Sequence, residues 1–154
     1  MQISNQSAGI LLYRNINGQP EFFLVHPGGP FFKNKDEGYW SIPKGEFLPD
    51  ENPLAAAQRE FEEETGRPIK AEKFIELSPI KQKSGKIVHA WGAEGELDAD
   101  TITSNTFEIE WPPHSGKMSS FPEIDRAGWF SADDARLKIN AAQAALIDEL
   151  LSLI

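Results

Sequence analysis

The sequence predicts an α+β fold, an α/β/α sandwich with a mixed sheet between helices, as a single domain over residues 1–154. Three observations lead there. Short β-type runs stand on both sides of one strongly marked helix. The chain closes on a second, amphipathic helix. No linker, repeat or low-complexity stretch divides it.

Residues 7–13 (S-A-G-I-L-L-Y) and 21–26 (E-F-F-L-V-H) are apolar runs of strand length. Residues 14–20 between them contain N-G, so a hairpin is expected. His26 ends the second strand and is expected to be half-buried. Residues 28–38 (G-G-P-F-F-K-N-K-D-E-G) form a loop with two readings. Phe31, Phe32, Lys33 and Lys35 stack a base and attract phosphates, or the rings pack inward from a surface loop. Residues 39–43 are expected to be a short strand leading to Lys44 and Gly45.

The helix that follows has clear ends. Asn52 is a good N-cap, and Pro53 suits the first helical position, where its missing N–H costs nothing. Ala55, Ala56 and Ala57 favour helix. Gly66 is a natural stop, with Pro68 close behind. Leu54, Ala57, Phe61 and Thr65 share one face, which should pack on the body of the protein. Glu60, Glu63 and Glu64 lie beside that face, one turn apart or adjacent. Gathered carboxylates repel one another. An oxygen-rich cluster of this kind suits Mg²⁺ or Mn²⁺, while the alternative is a solvated acidic face.

Beyond the helix, residues 71–81 and 86–96 are expected strands joined by the K-S-G turn. Residues 106–111 alternate as a strand, ended by Pro112 and Pro113, which cannot donate to a ladder. The stretch from His114 to Ser120 reads as a loop. Residues 126–130 form a short strand, and Ser131 caps a brief helix. Residues 140–153 form the closing helix, with Ala144, Ile147, Leu150 and Leu151 as its apolar stripe.

Composition narrows the function. The chain has 15 basic and 24 acidic residues, a net charge of −9 and no cysteine. Disulfides, thiolate metal sites and thiol nucleophiles are excluded. The acidic surface argues against nucleic-acid partners but not against a small phosphorylated substrate, because bound cations invert the local field. No apolar run reaches membrane-spanning length, and the opening M-Q-I-S-N-Q-S has no signal-peptide pattern. A cytoplasmic protein without membrane partners, monomeric or homodimeric, is expected.

Around the helix the chain reads G-x5-E-x7-R-E-U-x-E-E-x-G-U, U being bulky and apolar. Gly45, Glu51, Arg59, Glu60, Phe61, Glu63, Glu64 and Gly66 fill eight of its nine positions, and Arg67 departs at the ninth, where Ile69 can supply the apolar contact. This pattern resembles the signature of the Nudix hydrolases. The resemblance implies the Nudix fold and Mg²⁺-dependent hydrolysis of a nucleoside diphosphate linked to another group. It implies Glu60, Glu64, Glu63 and the Gly45 carbonyl as metal ligands, with Mn²⁺ as a possible substitute. Arg59 then pairs with Glu51 as structural support. Attack on a diphosphate meets crowded negative charge, so positioning and charge neutralisation carry the catalysis.

W-S-I-P-K-G at residues 40–45 resembles the diadenosine-polyphosphate and MutT-like branches, in which Lys44 contacts phosphate oxygens. Glu123, upstream of Trp129, resembles the loop base of the diadenosine tetraphosphate hydrolases; a solvated loop acid is the other reading. Glu110, Glu108 and Glu63 are further candidates for the base. His114 and Lys117 are weak phosphate candidates, His89 reads as a strand residue, and Trp40 and Trp111 border a base pocket or belong to the core. The leading expectation is asymmetric cleavage of diadenosine tetraphosphate to ATP and AMP. A MutT-like triphosphate pyrophosphohydrolase comes second and ADP-ribose hydrolysis third. From other classes come a nucleotide-sensing domain without turnover and an acidic interaction module.

Overall fold

The computed structural model describes residues 5–154; the first four residues of the N-terminal stretch lie outside it. Strands β1 (Gln6–Ile16) and β2 (Gln19–Pro27) form the expected hairpin. Asn17 and Gly18 both take positive φ, 53° and 81°, which a tight two-residue hairpin turn requires. The strands β3 (Lys44–Glu46), β4 (Ile75–Glu76), β5 (Ile80–Lys81), β6 (Ile87–Glu94) and β9 (Ile124–Ser131) complete a seven-stranded sheet. Its order is β4-β6-β1-β2-β9, with β3 on β1 and β5 on β6. The β1–β6 pair is parallel and its other pairs are antiparallel, so the sheet is mixed. A parallel pair needs a long crossover, and α1 (Pro53–Thr65) lies within it. β7 (Thr106–Glu110) and β8 (Met118–Pro122) form a separate hairpin.

Both faces of the sheet are covered. Along β1 and β2 successive side chains alternate between two apolar clusters. Ala8, Ile10, Leu12, Phe23 and Val25 meet Ala56, Ala57 and Phe61 of α1. Leu11, Tyr13, Phe22 and Leu24 meet the other layer. That layer is built by α2 (Ala132–Lys138) and α3 (Ala144–Leu153), through Ala135, Leu146, Ile147 and Leu150. Burial of Phe61 alone contributes about 1.5–3 kcal/mol. Among the described residues no helix is long and apolar enough to cross a membrane.

The ends of α1 match the sequence. Asn52 accepts from the Ala55 N–H at 3.0 Å, and Gly66 adopts φ 77°. The buried face is Ala56, Ala57, Phe61 and Thr65, with Leu54 packed at its edge. Arg67, the one departure from the signature, donates to Thr101 Oγ1, while Ile69 packs against the core as expected.

Four expectations are corrected. Residues 39–43 are not a strand: Trp40 and Ser41 make isolated bridges, and Pro43 has no N–H, so pairing with β1 starts at Lys44. Residues 71–81 hold two two-residue strands rather than one, because Ser78 turns both its N–H and its hydroxyl to Glu149 and Pro79 follows. The loop expected up to Ser120 becomes strand at Met118; a polar M-S-S run hid a β8 paired residue by residue with β7. The last helix begins at Ala144, not residue 140. Asn140 caps a short 3₁₀ turn, which aims the buried Gln143 at the Ile42 N–H.

Candidate active site

β3 brings Gly45 against α1. A Cβ at Gly45 would lie 2.0 Å from Glu60 Oε2, so only glycine lets this carboxylate approach the strand so closely. One turn on, Glu64 accepts from the Lys44 N–H at 3.2 Å. Arg59 donates to Glu51 Oε2 at 3.1 Å, to Glu60 Oε1 at 2.9 Å and to Glu63 Oε1 at 3.5 Å. The expected Arg59–Glu51 pair is therefore present, and the same guanidinium also holds two carboxylates of the acidic flank.

A cavity of about 290 Å³ is lined by Lys44, Gly45, Glu46, Glu60, Glu63, Glu64, Asn105 and Glu123. Burial pushes the Glu64 carboxyl up to about 8, with Glu60 and Glu123 adding to the rise against Lys44. Burial and the neighbouring Glu63 raise Glu60 as well, against Arg59. Burial lowers the Lys44 ammonium. These carboxylates are thus placed where their own charge is unfavourable. A hard divalent cation removes that cost, and the donor set is all oxygen, so the residues fit Mg²⁺ or Mn²⁺. Among the described residues no three such side chains are already drawn into a cation cage. Arg59 holds Glu60 and Glu63, and the Lys44 N–H holds Glu64, so these contacts compete with any ion.

Glu123 reaches the cavity from the segment just before β9. Its N–H donates to Asn105 O at 2.8 Å, and the Asn105 N–H donates to Glu63 O at 3.1 Å. Asn105 thus ties Glu123 to α1. Nothing in the residue type signals this role: Asn105 reads as an ordinary polar loop residue. A second cavity, about 180 Å³, shares Lys44, Glu64 and Glu123 with the first and continues past Tyr39, Ser41 and Ile124.

Other candidates stand elsewhere. Glu110 accepts from the N–H groups of His114 and Gly116, stabilising its own hairpin loop. It lines neither cavity, nor does the exposed Glu108. His114 has φ 63° in that loop, where Lys117 donates its N–H to Ser115. His89 bonds Gln6. His26 is fully buried rather than half-buried, because both ring nitrogens find partners. In the 28–38 loop Phe31 is 58% exposed and stands edge-on to Trp111 with centroids 5.5 Å apart. Phe32 leans on Tyr39 at 6.2 Å, and Lys33 is exposed. Trp40 belongs to the core.

A hollow of about 660 Å³ beside Arg14, Arg67 and Trp129 is larger, but none of these carboxylates lines it. Its Arg14 is already paired with Glu21 and Glu96.

A mixed sheet between helices, with a glycine strand pressed on an acidic helix flank, is the arrangement that the comparisons place among the pyrophosphohydrolases. The NUDIX domain model matches residues 4–150, and the chain belongs to the Nudix family. Its fold resembles that of the Caenorhabditis elegans Ap4A hydrolase in a binary complex. The TM-score is 0.65 at 23% identity, covering 98% of this chain and 97% of that one. It also resembles the NUDIX domain of Shewanella oneidensis NrtR complexed with ADP ribose, with a TM-score of 0.64, 15% identity and 99% and 89% coverage. A mutT/nudix family protein from Listeria innocua matches with a TM-score of 0.61, 17% identity and 96% and 92% coverage.

Proposed function

We propose that this protein is a Mg²⁺-dependent hydrolase of dinucleoside polyphosphates, releasing ATP and AMP from diadenosine tetraphosphate. The observation that carries this reading is a pair of adjoining cavities with three lining residues in common. The carboxylate cavity opens, through the shared Lys44, Glu64 and Glu123, into a second cavity past Tyr39. Outside both cavities, the exposed Phe31 stands edge-on to Trp111, a pair of rings suited to stacking. A long polyphosphate carrying bases at its ends has use for each part. That a Caenorhabditis elegans Ap4A hydrolase shares the fold is consistent with it.

Glu60, Glu63, Glu64 and the Gly45 carbonyl are the proposed metal ligands. Mg²⁺, when bound, neutralises phosphate charge and lowers the pKa of water. Glu123 is the proposed general base: it lines the same cavity and is solvent-exposed. Lys44 is placed to meet a phosphate oxygen as a point charge. Arg59 and Glu51 hold the loop to the helix.

The test is product analysis after incubation with Mg²⁺ and diadenosine tetraphosphate, canonical and oxidised triphosphates, or ADP-ribose. ATP plus AMP supports the reading. Pyrophosphate plus a monophosphate from triphosphates alone replaces it with a nucleotide-cleaning role. Binding without turnover overturns hydrolysis altogether.

A further inference from the structure

His26 is fully buried at the end of β2, and both of its ring nitrogens face acceptors. Nε2 lies 2.7 Å from the Lys35 carbonyl oxygen, and Nδ1 lies 2.8 Å from Asp125 Oδ1. Each ring nitrogen thus has an oxygen partner within hydrogen-bond distance. The ring is held from the side by Trp40, edge-on at 5.2 Å, which in turn lies under the Arg126 guanidinium.

The two partners are 90 residues apart in sequence and belong to different segments. Lys35 is in the 28–38 loop, which carries Phe31. Asp125 is two residues beyond Glu123. A second link runs beside the first: the Gly28 N–H donates to Glu123 O at 2.8 Å. The Gly29 α-carbon also abuts the Phe107 ring of the β7–β8 hairpin, where a Cβ would lie 2.7 Å from it.

We propose that His26 is a positioning residue, a buried ring bonded at both nitrogens that latches the aromatic loop to the Glu123 segment. Base-stacking wall and general base are thereby fixed relative to each other. Without the latch the loop keeps its ends and the bonds of Asp36 to Lys138 and Trp40, but loses its tie to the Glu123 segment. The loop then samples open positions, and substrate binding suffers before chemistry does.

The experiment uses Asp125, since substitution of the buried His26 risks misfolding. Asp125→Ala removes the oxygen partner of Nδ1, and Asp125→Asn keeps one. Lys33 and Lys35 are exposed and give trypsin two sites inside the loop. With Asp125→Ala, cleavage after Lys33 and Lys35 is expected to rise about tenfold, as for the loss of one hydrogen bond. Cleavage after Lys83, in the distant turn before β6, stays at the wild-type rate. The KM for diadenosine tetraphosphate with Mg²⁺ rises more than kcat falls, and Asp125→Asn recovers most of both effects. Loop cleavage in Asp125→Ala within about twofold of wild type overturns the latch. So does an Asp125→Asn protein as open as Asp125→Ala. The kinetic part rests on the proposed reaction, whereas the proteolysis does not. Absence of turnover in the wild type would remove that reaction and leave the latch to be judged by cleavage alone.

Discussion

The Lys44 N–H donates to Glu64 Oε1 across 3.2 Å, joining the start of β3 to the last turn of α1. This bond holds Glu64 in a buried place where its charge is costly. Glu64→Gln should keep it, since an amide oxygen also accepts. The variant is therefore expected to fold, and to lose more than about a hundredfold in kcat, beyond what an outer-shell partner costs. Calorimetric titration with Mg²⁺ should show saturable binding in the wild type and none in the variant. Equal binding by both would remove Glu64 from the metal site.

Much of this was legible in the sequence because it is local. The caps of α1 are Asn52, Pro53 and Gly66, each acting within a few residues, and all three behave as their chemistry dictates. The alternation in β1 and β2 likewise follows from backbone geometry. What escaped is contact between distant segments. Asn105 joins Glu63 to Glu123 through main-chain atoms, which leaves no trace in residue type. Glu110 stood behind Glu123 as a further candidate base, and its own loop folds back on it. His26 looked like a strand end; its burial depends on Asp125, far along the chain.

The raised Glu64 carboxyl has a consequence for stability. Its folded pKa is about 8, against an ordinary 4.5. Between those values the folded protein keeps a proton that the unfolded chain has released, so stability falls as pH rises through that window. Glu60 is shifted in the same direction. Metal-free protein should thus melt at lower temperature at pH 8.5 than at pH 5.5. Added Mg²⁺ should raise the melting temperature more at the higher pH, where no proton competes. Scanning calorimetry across this range checks both, and a Mg²⁺ effect independent of pH would contradict the site.

Gly45→Ala separates geometry from stability. The new Cβ meets Glu60 Oε2, the far end of a flexible side chain. The carboxylate can turn away, so the stability change should stay within about 1 kcal/mol. Activity should fall about a hundredfold, as expected when a catalytic group is displaced by an ångström. Unchanged kcat, with an unchanged melting temperature, would mean that Glu60 is not needed where it stands.

Phe31 is exposed and contacts Trp111 at its edge, so Phe31→Ala should cost little stability. If it stacks a base, KM for diadenosine tetraphosphate should rise about tenfold, within the range measured for base–aromatic stacking. KM for pyrophosphate-linked substrates lacking a second base should move less. Equal effects on both would place Phe31 away from the distal nucleoside.

Glu123 is the first candidate base from the sequence and Glu110 a further one, and their surroundings differ. Glu123 lines the carboxylate cavity; Glu110 is occupied by the N–H groups of His114 and Gly116. Glu123→Gln should lower kcat by about 10²–10⁴, the usual contribution of a general base. Its KM should change little, because the amide is of the same size. Glu110→Gln should stay within about twofold of wild type in kcat, as for an ordinary surface substitution. Steady-state kinetics of the two variants, side by side at saturating Mg²⁺, decides between them. If both retain full activity, the base lies on α1, and Glu63, which faces the same cavity, becomes the residue to replace.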